Sequence, residues 1–386
     1  MTHVSEQDAA EAESVPEPVA EPLTLNRRGR VRMRMPFARI SIQSKLMLML
    51  VLCAILAAAA VGGIAYQVGR TSLRTAAFNR LTEVRESQFR ALQGQITDLK
   101  DSLIIYTRGA TTQGALQDFT AGFNQLATSP PLSPAQWGSI VDYYDNTFIK
   151  QTEQYSGTTL NPAALLPTSN SERHLQANYT APRQNDDYAI AMNDAGDASA
   201  WSAANAKYQD FFREIVTRFE FQDALLIDDR GNVVYSAYKG VDLGSNIITG
   251  PYSGSNLHDA YLKAVSANSV DYVAFTDFEF YQPAEMQPTA WMVAPIAPGG
   301  KTQGVLALQF PITKINRLMT FDKNWENAGL GRTGETILGG SDNLMRSDSR
   351  LFLENQQQFK TDVVQAGTPP DIADMAIRQG GTTLVQ

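Results

Sequence analysis

The pattern of apolar positions changes character three times along the chain. Leu46 to Val68 (LMLMLVLCAILAAAAVGGIAYQV) is apolar throughout, with Gln67 as its one strongly polar residue. At about 1.5 Å rise per residue, roughly 23 helical residues reach about 34 Å, enough to cross a hydrocarbon core of about 30 Å. Beyond it, apolar or small residues recur in steps of three and four at Leu73, Ala77, Leu81, Val84, Leu92, Ile96, Leu99, Leu103 and Tyr106, interrupted at Gln88. That is the period of an amphipathic helix. With no proline between Pro36 and Pro130, it predicts a stalk helix running unbroken out of the apolar segment and ending at Thr128 to Pro134 (TSPPLSP). A mostly helical stretch follows to about Phe221. Within it, Pro162 to Asp197 is rich in Asn, Asp, Ser and Pro and predicts loops. Trp201 to Phe219 predicts a helix, with Tyr208, Phe211, Phe212, Ile215 and Phe219 on or near one face.

Strand character then takes over. The apolar run from Asp223 to Asp228, the turn Asp229-Arg-Gly-Asn232 and the β-branched and aromatic run from Val233 to Tyr238 predict a hairpin. Asp228 and Asp229 suit its turn. Ser255 to Ala267 reads as a helix, and Val270 to Phe280, Ala290 to Ile296 and Gly304 to Phe310 as three further strands. Hairpin, helix and three antiparallel strands is the order of a PAS-like unit. A second hairpin signal opens at Glu335-Thr-Ile-Leu-Gly and resumes near Leu344-Met-Arg-Ser. The expected class is α+β, and the expected organisation has five parts. These are a disordered, basic tail over 1–45, a transmembrane helix over 46–68, a stalk and helical part over 69–222, a PAS-like unit over 223–320, and an incomplete second unit over 321–386.

Charge sets the orientation. Met1 to Pro22 is acidic and poor in aromatics, a composition that cannot offset its ordering entropy by burial. Arg27, Arg28, Arg30, Arg32, Arg34, Arg39 and Lys45 then form a basic run, which belongs on the cytoplasmic side and puts the bulk of the chain outside the cell. The run also suits contact with anionic lipid. A cleaved signal peptide is the competing reading, but the apolar run is longer than an h-region of about 7–15 residues. A net charge of −8 argues against nucleic-acid binding. Cys53 is the single cysteine, which excludes an intramolecular disulfide.

Little in the chain points to catalysis or a cofactor. His3, His174 and His258 lie far apart in sequence, which disfavours a histidine metal site. Gly329-Leu-Gly-Arg-Thr-Gly334 fits GxGxxG, but a strand and turn follow where a dinucleotide site needs a helix N-terminus. A ligand pocket, by contrast, needs a concave apolar wall and a few fixed polar groups. Tyr235, Tyr252, Asp277, Tyr281 and Trp291 are the candidate ligand-binding residues. Asp277 would hold a cationic or amine group. The alternative is that Asp277 caps a strand and the aromatics are core.

Several linked segments carry a family resemblance. Tyr208 to Phe219, Asp223 to Ser236, Asp242-Leu-Gly-Ser-Asn246, Gly250-Pro-Tyr252 and Asp277-Phe-Glu-Phe-Tyr281-Gln-Pro283 resemble the membrane-distal unit of bacterial double Cache sensors. Gly329 to Glu335, continuing to Leu344-Met-Arg-Ser-Asp-Ser349, resembles the start of the membrane-proximal unit. The Arg-x-Trp element by which some Cache sensors recognise amino acids is not recognisable. Ser41 to Met47, Gly69 to Arg74 and Leu81 to Ser87 resemble actinobacterial membrane-bound adenylate/guanylate cyclases. In that family a second membrane helix, a HAMP linker and a class III catalytic domain follow the sensor. The resemblance implies the sensory input of a cyclase in the plasma membrane, cut short as a fragment or truncated product. It also implies a small-molecule ligand, a homodimer and no cofactor, and by this resemblance Tyr235, Tyr252, Asp277, Tyr281 and Trp291 fall on or beside the strands and loops that line the pocket in distal Cache units. A chemotaxis receptor, a sensor histidine kinase and an envelope binding protein without cytoplasmic output are the alternatives.

Overall fold

A computed structural model describes residues 41–157, 159–267, 269–342 and 345–359. The acidic and basic tail before residue 41, Leu344 of the second hairpin signal, and the segment from residue 360 onward lie outside these residues. The chain divides into two compact units, one ending at Arg74 and the other beginning at Thr75. Helix α1 (Ile42–Arg108) contributes to both.

In the first unit, the Ala-, Leu- and Met-rich sequence from Leu46 to Val68 is helical and its side chains are exposed. Among the described residues, α1 is the one helix long and apolar enough to cross a membrane.

In the second unit, the stalk periodicity has a packing partner over its later half. Leu99 and Leu103 are buried in the main core, and Leu92, Ile96 and Tyr106 lie against it, whereas Leu81 is exposed. The helix does not run unbroken to the prolines. It ends at Arg108, and Gly109 takes an extended conformation (φ −65°, ψ 136°) before α2 (Ala110–Ala127) begins. A Gly with no side chain to pack makes the break cheap without any proline. Next come α3 (Pro134–Tyr143), α4 (Ile149–Ser156), α5 (Asn170–Leu175), α6 (Asp186–Ala191) and α7 (Ala200–Phe219). The segment expected as loops therefore holds two short helices. Their local signals are the reciprocal Ser169–Glu172 capping box and the Asn185 side chain, which accepts from the Tyr188 amide at 2.8 Å. Helices α2 and α7 approach closely at Gly122, where a Cβ would sit 2.7 Å from the Trp201 backbone nitrogen.

The strands are β1 (Asp223–Asp228), β2 (Val233–Ser236), β3 (Ala274–Phe275), β4 (Glu279–Tyr281), β5 (Gln287–Ile296) and β6 (Gly304–Pro311). Helix α8 (Asn256–Val265) lies between β2 and β3, and α9 (Ile312–Met319) follows β6. The sheet is antiparallel in the order β2-β1-β6-β5-β3, with β4 also paired to β5. Both faces are covered, which explains why the strands read as continuous apolar runs. Ala224, Leu226, Met292, Leu306 and Leu308 point into the core shared with α2 and α7. Leu225, Ile227, Trp291, Val293, Val305 and Ala307 point to the opposite face, with Leu257, Ala260 and Tyr261 of α8. The period of two along each strand assigns these faces.

The β1–β2 turn is built by Asp228. Its Oδ1 accepts from the amides of Arg230 (2.9 Å) and Asn232 (2.8 Å), and its Oδ2 from Asn232 Nδ2 (2.8 Å). Gly231 has φ +86°, a conformation that favours glycine. The second hairpin signal forms a single antiparallel bridge, Gly339 to Met345, among the described residues. The segment ends in the short helices α10 (Arg350–Glu354) and α11 (Gln356–Phe359).

Candidate functional site

At the end of the sheet where β1 starts and β4 turns into β5, the chain forms a half-open cavity of about 330 Å³. Its walls come from six places in the sequence. Tyr143 and Phe148 arrive from the end of α3 and the π-helical segment after it, Arg183 from just before α6 and Asp186 from its first residue. Phe221, Gln222 and Asp223 lead into β1, and Tyr238, Gly240, Val241 and Asp242 follow β2. Tyr281, Pro283, Ala284, Glu285 and Gln287 form the β4–β5 turn, and Gln309 of β6 completes the wall.

The charged groups of this region are not equivalent. Asp223 is tied to the chain itself. Its Oδ1 accepts from the amides of Ala224 (2.7 Å), Ala237 (2.8 Å) and Tyr238 (3.2 Å), and its Oδ2 from the Ser236 hydroxyl (2.6 Å). It thereby pins the end of β2 to the start of β1. Arg183 donates to Asp186. Lys239 is fully buried away from the cavity wall, where Nζ donates to Gln209 Oε1 (2.6 Å) and to the carbonyls of Ser236 (2.8 Å) and Ala237 (3.2 Å). Burial pushes the Lys239 ammonium down to about 7, against the opposing pull of Asp223.

Asp242 differs from these. It is 4% exposed, and its Oδ2 accepts one side-chain hydrogen bond, from the Tyr281 hydroxyl at 2.9 Å. Among the described residues it forms no ion pair. Burial first, then the nearby Asp223 charge, push its carboxyl up to about 7. The turn that closes the cavity is strained. Glu285 and Met286 are consecutive non-glycine residues at φ +55° and +63°, held by Glu285 N–H to Gln282 O (3.0 Å) and Met286 N–H to Tyr281 O (3.0 Å).

Of the five residues singled out in the sequence, Tyr281 lines the cavity. Tyr252 is buried next to it, with ring centroids 6.4 Å apart. Trp291 packs edge-on to Tyr281 at 5.1 Å on the α8 side of the sheet, and its buried indole N–H has no partner among the described residues. Tyr235 faces the other way. It lies in the helical core 4.6 Å from Phe119 and 4.8 Å from Phe212, and its hydroxyl donates to Gln209 Oε1 at 2.7 Å. Asp277 is not at the cavity. The Arg346 guanidinium grips its carboxylate through Nε and Nη2, both at 2.8 Å, and holds it below the usual carboxylate range. The five are thus divided among separate environments.

Asp242 and Tyr238 stand in or beside segments singled out for fold, yet neither carried a site signal, because acids after a strand are common turn residues. Arg183, Tyr143 and Glu285 converge only through the tertiary fold.

No protein-family model matches the chain, and no curated protein matches it. Among solved structures, it is similar to the sensor domain of the V. cholerae histidine kinase DctB, at 14% identity and a TM-score of 0.25, over 47% of this chain and 57% of that one. It is also similar to the ligand-binding domain of the Pseudomonas fluorescens chemoreceptor CtaA in complex with L-serine, at 16% identity and a TM-score of 0.28, over 42% of this chain and 61% of that one. A third is the ligand-binding domain of a Campylobacter jejuni chemoreceptor in complex with 4-methylisoleucine, at 14% identity and a TM-score of 0.27, over 65% of this chain and 76% of that one. The chain spans less than two thirds of the length of the first two.

Proposed function

We propose that this chain is the ligand-sensing, signal-input region of a bacterial membrane receptor, with the cavity between the β4–β5 turn and the segment after β2 as its sensory site. The observation that carries this reading is the cavity of about 330 Å³ with the buried carboxylate of Asp242 and the Tyr281 hydroxyl on its wall. A volume of this size suits a small molecule. The order of hairpin, helix and antiparallel strands and the resemblance to double Cache sensors support a sensory role. The apolar run Leu46 to Val68 and the basic run before it support a single crossing with the N-terminus in the cytoplasm.

The juxtamembrane resemblance favours a cyclase as output over a chemoreceptor or kinase. In this reading the receptor is a homodimer, and ligand binding biases two arrangements of the stalk. A ligand shifts that equilibrium only by its difference in affinity for the two states.

The test is a thermal-shift screen of the full chain in lipid nanodiscs against a metabolite library, beside Ala284→Trp, which fills the cavity. A ligand at 100 times its Kd adds about 2.7 kcal/mol of stability. The expected result is a stabilising compound whose effect Ala284→Trp removes. No stabilising compound, or one indifferent to that block, overturns the reading.

A further inference from the structure

The cavity wall carries more acid than its own cations neutralise. Four carboxylates line it (Asp186, Asp223, Asp242 and Glu285) against one cation, Arg183. Two of the four are already engaged. Arg183 donates to Asp186, and Asp223 is saturated by three backbone amides and Ser236. Lys239, the nearby ammonium, is turned away onto Gln209 and two carbonyls. That leaves Asp242, nine-tenths buried with a neutral Tyr281 hydroxyl as its side-chain donor, and Glu285 on the strained turn. Neither forms an ion pair among the described residues. A buried carboxylate without a cation is costly unless something else supplies the positive charge. The remaining wall mixes the aromatic side chains of Tyr143, Phe148, Phe221, Tyr238 and Tyr281 with three neutral glutamines, Gln222, Gln287 and Gln309. Aromatic faces and an unpaired carboxylate together are the surroundings that favour an organic cation.

We propose that the cavity takes a small organic amine in its cationic form, with the Asp242 carboxylate as its counter-charge and the tyrosine rings as its walls. An amino acid is disfavoured at the same site because its carboxylate needs a free cation, and Arg183 is committed to Asp186. This assignment rests on the sensory reading above and narrows it to a ligand class.

The experiment is isothermal titration of the full chain in lipid nanodiscs with two sets of probes. The amines are phenethylamine, putrescine and choline. The charge controls are phenylalanine and phenylacetate, which keep the ring of the first amine but are zwitterionic and anionic. At least one amine binds, and phenylalanine and phenylacetate bind at least about tenfold more weakly than it. Asp242→Asn keeps the fold, because an amide still accepts from Tyr281, and weakens the amine by about tenfold or more. Glu285→Gln, at the turn, weakens it by less. Tighter binding of phenylalanine or phenylacetate than of every amine overturns the amine assignment and leaves a sensor of another class. Amine binding that survives Asp242→Asn unchanged overturns it as well. Silence of all five probes overturns the amine assignment, and the sensory reading then stands or falls on the library screen and its Ala284→Trp block.

Discussion

Asp242 and Asp277 lie on the same sheet domain and carry the same functional group, yet the chain treats them in opposite ways. Asp277 is half exposed and gripped in bidentate fashion by Arg346, which is itself held a second time by Asp342 at 2.8 Å. Asp242 is buried, and its one side-chain donor is a neutral phenol. The first carboxyl is held below its ordinary range and the second is raised. A carboxylate with its own chain's cation on it is a structural clamp. One buried beside a cavity without a cation is open to a ligand. The cation's whereabouts, more than the acid's exposure, separates the two regions.

The largest stability effect falls on the clamp. The Arg346 side chain is 9% exposed against 52% for Asp277, so the arginine is the buried partner. Asp277→Ala removes the bidentate carboxylate from that guanidinium and costs about 1–3 kcal/mol in denaturant unfolding, while amine affinity stays within about twofold. Equal loss of binding in this variant would erase the distinction between the two acids.

Asp242→Asn gives the reverse, a gain in stability at pH 8 together with lost binding. The sign follows from the shift. The folded Asp242 carboxyl is raised from an ordinary 3.8 to about 7, so its contribution is fully present below 3.8 and is lost as pH rises through 7. The stability advantage of Asp242→Asn therefore grows between pH 4 and pH 8. Asp277 is lowered from 3.8, so its contribution is present above that value and is lost as pH falls through its folded pKa. The cost of Asp277→Ala fades in strong acid. Melting temperatures of the three proteins across that range read both slopes. Parallel curves would mean that the two acids share one environment.

The smallest effect repeats the contrast with indoles. Trp201 Nε1 donates to the Val234 carbonyl at 2.7 Å, whereas the buried Trp291 N–H has no partner among the described residues. Trp201→Phe loses a buried hydrogen bond and Trp291→Phe loses none, a difference of about 1 kcal/mol in unfolding free energy. Equal costs would remove the distinction.

The sheet was legible because its strands are apolar, β-branched and aromatic runs between turn residues, and burial on both faces keeps those runs apolar. Helix α7 was legible from its aromatic face. The break at Gly109 was not, since the apolar period continues on both sides of it and no proline marks it. The short helices α5 and α6 were hidden by polar composition, although the Ser169–Glu172 capping box was a local signal. The site was less legible than the fold. Tyr281 was found through the resemblance, since it falls beside the strands and loops that line the pocket in distal Cache units. Asp277 was chosen on the same resemblance, as an acid that could hold a cationic group, but Arg346, 69 residues later, reaches back to it. Asp242 gave no warning, because its significance comes from the cations that are elsewhere.

Proton release on amine binding tests the central claim most directly. Titration calorimetry at pH 6.5, repeated in buffers of different ionisation enthalpy, counts protons exchanged with the tightest-binding amine of the panel. Burial and the neighbouring Asp223 hold the Asp242 proton in the free protein, with the Tyr281 hydroxyl and Arg183 pulling weakly the other way, and an incoming cation expels it. The account predicts release approaching about one proton per amine at pH 6.5, little at pH 9, and none in Asp242→Asn. Amine binding with no proton released at pH 6.5, or with the same release in Asp242→Asn, would contradict it.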